Sequence, residues 1–221
     1  HDFTYMDYDV VISGKVSNGW LKTLQNNVNK YITLGPIFSD LIIERAKNKI
    51  KMIKKLDIAE SMKLIAFVDS PTGYCAVSNN KTYYAYLEAL LELSSIYKSN
   101  HYFLKTKKNY NYIKTHSNKK IIKILDEIKN KKNITYANDL DLSAYDVIGI
   151  SDLTISGSES SILYESFFAG KKTICYDPCL QYKNSDSIQN YIPKCRAFTF
   201  EDLMALHDYW LNLSDDFIFD K

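Results

Sequence analysis

The stretch YDVIGISDLTISGSESSILYESFFAGKKTICYDP, Tyr145 to Pro178, decides the fold. A short apolar run, Leu153 to Ser156, ends in a Gly157-Ser158 turn, an amphipathic helix with Glu165 in its middle follows, Gly170 stops it, and Thr173 to Tyr176 supplies a second apolar run. Strand, crossover helix and strand in so compact a segment make a βαβ unit, whose two strands lie parallel in one sheet. The first turn of a helix leaves backbone N–H groups unpaired and carries partial positive charge, so Gly157, Ser158, Ser160 and Ser161 form a seat for phosphate. With about 100° of turn per residue, Ser158, Ser161 and Glu165 share one sector of the helix, while Leu163, Tyr164, Phe167 and Phe168 point the opposite way. One reading buries the aromatic face and offers the hydroxyls and carboxylate to a cleft; the other makes Ser158 a helix cap and leaves Glu165 solvated.

The same alternation extends outward. Tyr8 to Ile12 and Tyr31 to Leu34 have the composition of strands flanking a crossover. From Ser39 to Leu56 the residues Ile42, Ile43, Ala46, Ile50 and Ile53 recur at helical spacing with lysines between them, which predicts one amphipathic helix with a basic outer face. Leu64 to Val68 is continuously apolar, as in a strand covered on both faces. A long helix through Tyr83 to Tyr97, a strand at His101 to Leu104, a helix at Lys119 to Asn130, a strand at Ile134 to Ala137, a helix or turn at Ala144 to Ile150 and a final helix at Glu201 to Leu213 complete the pattern. The expected fold class is α/β, a Rossmann-like parallel sheet with helices on both faces and its ligand crevice outside the carboxyl ends of the strands. Trp210 and its neighbours either complete the core or dock a partner domain.

With 221 residues and 46% hydrophobic content the chain has ample material for a core, and Lys plus Arg exceed Asp plus Glu by 28 to 26, too little for a field that drives nucleic-acid binding. The basic runs at Lys105 to Lys108 and Lys129 to Lys132 suit an anionic ligand or a membrane surface, and the second also fits a solvated cationic helix end. No apolar run nears the roughly 20 residues that span a bilayer. The start at His1-Asp2, without Met or a signal-peptide pattern, gives the expectation of a cytoplasmic piece excised from a longer protein. Cys75, Cys175, Cys179 and Cys195 are too irregularly spaced for a zinc ribbon and are expected as reduced, mostly buried thiols.

Three predicted strand-end turns carry groups suited to a diphosphate. Ser70, Thr72 and Gly73 bring hydroxyl and backbone donors, Lys105 and Lys107 bring charge, and the turn at Gly157 brings a helix N-terminus. Neither GxGxxG nor GxxxxGK[ST] occurs, which disfavours NAD oxidoreductases and P-loop ATPases, and GSESS lacks the second glycine of a serine-hydrolase elbow. Asp139-Leu140-Asp141 has metal-ligand spacing but is better explained as an exposed acidic loop, so no metal or cofactor is expected.

The segment from Asp146 to Pro178 resembles the C-terminal, donor-binding half of GT-B glycosyltransferases of bacterial surface polysaccharide synthesis, relatives of the CDP-glycerol glycerophosphotransferases and UDP-N-acetylglucosamine 2-epimerases. Asp152, Gly157 to Ser161, Glu165, Ala169, Gly170 and Lys171 carry the likeness, while Lys172 stands where the pattern commonly has proline. The resemblance implies that Glu165 holds the ribose of a nucleotide, that Ser158, Ser160 and Ser161 meet the diphosphate, that Lys105 neutralises donor phosphate and that Tyr136 to Leu142 frames the base. It implies residues 1–35 as the end of an N-terminal domain and connector, and residues 36–221 as a nucleotide-sugar-binding domain with a C-terminal helix. The expected function is glycosyl transfer from a UDP-, CMP-, CDP- or GDP-linked donor to a glycan or lipid-linked acceptor, at the inner face of the membrane, with an N-terminal partner domain and an unassigned catalytic base. The rivals are a sugar-nucleotide epimerase or CDP-polyol phosphotransferase of the same architecture, and a non-catalytic nucleotide- or protein-binding module.

Overall fold

The run Leu64 to Val68 is buried at every residue and forms the centre of the molecule. The computed structural model describes residues 8–13, 28–33, 38–69, 80–157, 160–180, 183 and 192–214. In chain order its elements are β1 (Tyr8–Ser13), β2 (Val28–Thr33), α1 (Ser39–Ala46), α2 (Lys49–Lys55), β3 (Lys63–Val68), α3 (Asn80–Ile96), β4 (Asn100–Lys105), α4 (Tyr110–His116) and α5 (Lys119–Lys129). There follow β5 (Ile134–Tyr136), a 3-10 turn (Ala137–Leu140), α6 (Ala144–Ile150), β6 (Leu153–Ser156), α7 (Ser161–Phe168), β7 (Thr173–Tyr176), β8 (Arg196–Ala197) and α8 (Phe200–Asn212).

Six strands form one sheet in the order β5-β4-β3-β6-β7-β8, every neighbouring pair parallel. The chain moves outward from β3 through β4 to β5, returns past β3 to β6 and moves outward again, so strand order reverses between β3 and β6. β1 and β2 pair in parallel as a separate two-stranded sheet, Tyr8 opposite Val28 and Ser13 opposite Thr33.

The period-two alternation of β3 divides the core in two. Ile65 and Phe67 join Tyr86 and Leu90 of α3, Ile121 and Leu125 of α5 and Leu203 of α8. Leu64, Ala66 and Val68 join Ile42 of α1, Ile53 of α2, and Val147 and Ile148 of α6. Helices therefore cover both faces, as expected. The i, i+3, i+4, i+7 stripe of α5 (Ile121, Ile124, Leu125 and Ile128) is wholly buried, and the Asn118 side chain caps the helix by accepting the Ile121 N–H at 3.0 Å.

The polar residues of the recurring pattern clasp the amino-terminal edge of the sheet. Asp152 accepts the Leu64 N–H at 2.8 Å through one oxygen and meets the Lys49 ammonium at 2.5 Å through the other. Lys171 donates to the carbonyls of Gly149 at 2.7 Å and Ser151 at 3.2 Å, where α6 ends. Lys172 reaches the Leu213 carbonyl at 2.6 Å, at the end of α8. Gly170, with φ of 73°, takes the left-handed conformation that ends the segment after α7.

Several expectations are corrected. The segment Ser39 to Leu56 is two helices broken at Lys47 and Asn48; Ile42 and Ile53 are buried, while Ile43 (46%) and Ile50 (62%) lie on the flank of that stripe and are exposed. Helix α7 buries Leu163, Glu165 and Ser166, and the Ser39 hydroxyl donates to the Glu165 carbonyl at 3.0 Å; packed in this rotation, α7 leaves Phe168 largely in solvent and Phe167 at the rim. Helix α4 lies beyond what the apolar spacing foretold; Asn109 caps it by accepting the Tyr112 N–H at 2.8 Å. Trp210 packs on the core and its indole N–H donates to the Lys194 carbonyl at 2.7 Å. Cys175 and Cys195 are buried and Cys179 is half-buried.

Candidate functional site

In open parallel sheets ligands bind outside the carboxyl ends of the strands where strand order reverses, here at the neighbouring strands β3 and β6. Register aligns the strand ends there: Val68 of β3 lies opposite Lys105 of β4 on one side and Ser156 of β6 on the other. The turns after these three strands thus leave the sheet at one level, Lys105 and Ser156 separated by two strand spacings, roughly 9.5 Å.

Asp69 is the first residue beyond β3, and its N–H continues the ladder to the Lys105 carbonyl at 3.0 Å. Its buried carboxylate accepts the Tyr83 hydroxyl at 2.9 Å and the Lys107 N–H at 2.6 Å. Burial lifts this carboxyl to about 7, against the downward pull of the two hydrogen bonds and of Lys105 and Lys107. The same contacts fix the turn that carries the lysines. Thr106 is held from the other side by Asn138, which accepts the Thr106 N–H at 3.0 Å and donates to its carbonyl at 2.9 Å, while the Tyr136 and Thr106 hydroxyls meet at 2.7 Å. Lys105 is half-buried, and desolvation lowers its ammonium pKa despite nearby Asp141, Asp69 and Asp146.

After β6, Gly157 is buried beneath Tyr86: a Cβ there would sit 2.8 Å from the ring's Cδ2, so the close approach requires glycine. The Tyr86 hydroxyl donates to the Ile155 carbonyl at 3.1 Å, which fixes the ring under the turn. Ser160 is the residue before α7, in extended conformation, with its hydroxyl 3.4 Å from that of Ser156, and Ser161 opens the helix exposed to solvent. Their backbone N–H groups belong to a helix terminus suited to an anion.

Glu165, one turn into α7, is 8% exposed. Burial raises its carboxyl pKa, partly offset by a hydrogen bond from the Tyr145 hydroxyl at the start of α6. Its Oε2 is buried with no hydrogen-bond partner among the described residues. A buried carboxylate oxygen without a partner costs free energy unless something supplies donors, and vicinal hydroxyls of a ribose are donors of that kind.

Of the residues singled out in the sequence, Lys105, Gly157, Ser160 and Ser161 stand at one edge of the sheet, and Glu165 follows within α7. Ser70, Thr72, Gly73 and Ser158 lie outside the described residues. Spacing did not disclose Asp69, Tyr83 or Tyr145 as parts of the site, though a carboxylate directly after a buried strand was a signal for the first; Asn138, within the Tyr136 to Leu142 stretch, ties down Thr106. Among the described residues no cluster of His, Cys, Asp and Glu has the makings of a metal site. A groove of about 950 Å³ runs between α3 and α5 on the helical layer, lined by residues such as Tyr84, Leu91, Lys120 and Glu127.

A family model described as polysaccharide biosynthesis PFTS motif protein matches residues 3–199. No curated protein matches the chain in sequence. Among solved structures, the wall teichoic acid polymerase TagF superposes with a TM-score of 0.54 at 13% identity, over 96% of this chain and 52% of that one. The UDP-GlcNAc 2-epimerase of Methanocaldococcus jannaschii, in complex with UDP-GlcNAc and UDP, gives 0.53 at 11% identity over 87% and 52% of the two chains. A UDP-forming α,α-trehalose-phosphate synthase from Burkholderia xenovorans gives 0.53 at 12% over 95% and 55%. These likenesses show the fold, an α/β Rossmann-like sheet of the GT-B kind, and the chain spans about half the length of the structures it matches.

Proposed function

The chain belongs to the polysaccharide biosynthesis PFTS motif family, and from that premise we propose that it is the donor-binding part of a glycosyltransferase that takes a sugar from a nucleotide-sugar donor. The observation that carries this reading is Glu165, a buried carboxylate with one oxygen on Tyr145 and the other without a partner among the described residues, on the helix beside the strand-order reversal.

In this scheme the ribose hydroxyls donate to Glu165, and the diphosphate lies against the N-terminus of α7, with Gly157, Ser158, Ser160 and Ser161 around it and Lys105 across the crevice. Ser70, Thr72 and Gly73 complete the set from the turn after β3. When the acceptor hydroxyl attacks the anomeric carbon, the bond to the diphosphate oxygen breaks and negative charge collects on the leaving nucleoside diphosphate. A helix terminus and a lysine fixed beforehand stabilise that charge without reorganising. The base that takes the acceptor proton belongs to the partner domain, of which residues 1–35 are the last part.

The test is a calorimetric screen of the chain against UDP-, CMP-, CDP- and GDP-linked donors, followed by product analysis with the intact enzyme. Glu165→Ala is expected to weaken the binding donor by roughly 1 to 3 kcal/mol. Glu165→Gln keeps the Tyr145 contact and relieves the buried charge, so it gains thermal stability while losing affinity. Unchanged affinity in both variants, with the fold intact, defeats the ribose role, and a nucleoside monophosphate released from a UDP-, CDP- or GDP-linked donor shows polyol-phosphate transfer.

A further inference from the structure

Between Arg45 and Lys55 the chain places Arg45, Lys47, Lys49, Lys51, Lys54 and Lys55 and no acidic residue. Three of these charges are answered: Arg45 by Asp146 at 3.2 Å, Lys49 by Asp152 and Lys54 by Glu60 at 3.6 Å. Lys47, Lys51 and Lys55 are exposed and make no ion pair among the described residues.

A hollow of about 260 Å³ lies where this segment meets α6, lined by Arg45, Asn48, Lys51 and Lys55 on one side and Asp146 and Ile150 on the other. Its one carboxylate is already engaged, since Asp146 also accepts the Ser143 N–H at 2.9 Å and hydroxyl at 2.6 Å as the cap of α6. The hollow therefore keeps an excess of positive charge. Beside it, Ile50 stands 62% exposed among the lysines, and Ile43 46% exposed one helix earlier.

Cations around a recess, with the aliphatic Ile50 protruding beside them, match the two components of an anionic bilayer surface: phosphates at headgroup level and acyl chains just beneath. We propose that the α1–α2 face is the seat of this protein on an anionic phospholipid membrane. Lys51, Lys55 and Arg45 take lipid phosphate at the hollow, Lys47 adds to the surface attraction, and Ile50 enters the headgroup boundary. This inference stands independently of the donor reading.

The test is co-sedimentation of the chain with vesicles of phosphatidylcholine alone and of phosphatidylcholine mixed with phosphatidylglycerol. Binding is expected to the mixed vesicles and to fall with added salt. The combined variant Lys47→Gln, Lys51→Gln, Lys55→Gln is expected to lose affinity on the order of a hundredfold, about fivefold per lysine. Ile50→Ser weakens binding with the salt dependence unchanged, and Lys131→Gln with Lys132→Gln leaves it intact. Equal binding to the two vesicle types, or undiminished binding by the triple variant, overturns the proposal. Release from vesicles by inorganic phosphate at matched ionic strength also overturns it, because the hollow would then be a site for a soluble anion. Circular dichroism melts confirm that each variant is folded.

Discussion

Asp69→Asn isolates a buried carboxyl at the strand ends whose proton affinity burial raises. The folded chain holds this carboxyl at about 7 against an ordinary 3.8, so between these values the native state retains a proton that the unfolded chain has released. Stability from this group therefore falls as pH rises through that window and is level above it. At about 1.4 kcal/mol per pH unit, the ionised carboxyl costs the fold roughly 4 kcal/mol near pH 8. Asparagine has no proton to lose and preserves both contacts, its amide oxygen accepting from Lys107 and its amide N–H donating to the Tyr83 oxygen. The variant should thus exceed the natural chain by roughly 4 kcal/mol near pH 8, by roughly 1.5 near pH 5 and by almost nothing below about pH 4. For a chain of this size the gain near pH 8 corresponds to about 10 °C in Tm. Thermal melts of both proteins across this range read the effect directly. A gain of the same size at every pH, or a loss near pH 8, refutes the reasoning, because the carboxyl would then not be held protonated by burial.

Gly157→Ala forces a methyl against the Tyr86 ring, whose Cδ2 would lie 2.8 Å away; a loss of roughly 1 to 3 kcal/mol is expected in urea unfolding. Asn138→Ala removes both backbone contacts to Thr106. It should cost roughly 2 to 3 kcal/mol and also weaken donor binding in calorimetry, since the Lys105 turn loses its tie. Lys171→Met strips the donor from the Gly149 and Ser151 carbonyls, so unfolding should come roughly 1 to 3 kcal/mol sooner while donor affinity holds.

The sheet was legible because its information is local. Leu153 to Ser156 and Thr173 to Tyr176 fall where continuous apolar runs put them, and α5 follows its four-residue stripe. Local periodicity failed where tertiary packing set the rotation of a helix. Ile43 and Ile50 fit the spacing of a wide apolar stripe and are exposed, because only the narrower sector through Ile42 and Ile53 packs against the sheet. In α7 the contact from Ser39, 126 residues earlier, accompanies a rotation that leaves Phe168 outward, and no pattern within the helix records it. The site shows the same division. Lys105, Gly157 and Ser160 could be assigned to strand ends from the order of elements, whereas the partners of Asp69 and Glu165 come from helices that meet them only in the folded chain.

The two edges of the sheet differ in how fully their carboxylates are satisfied, and that difference bears on function. At the amino-terminal edge Asp152 has a partner on each oxygen, Lys49 and the Leu64 N–H, and Lys171 caps two carbonyls; these are complete clasps that need nothing further. At the carboxyl edge Asp69 is buried without an ion pair among the described residues, and in α7 Glu165 leaves Oε2 without a partner there. Thr154 and Ser166 also leave buried hydroxyl oxygens without partners among the described residues, but a neutral hydroxyl is far cheaper to desolvate than a carboxylate. A fold selected for stability alone would replace Glu165 with glutamine, which keeps the Tyr145 contact and sheds the charge. Retaining the acid makes sense if its oxygen is completed by hydroxyl donors that arrive with a ligand, so that stability withheld in the free protein becomes affinity in the bound one.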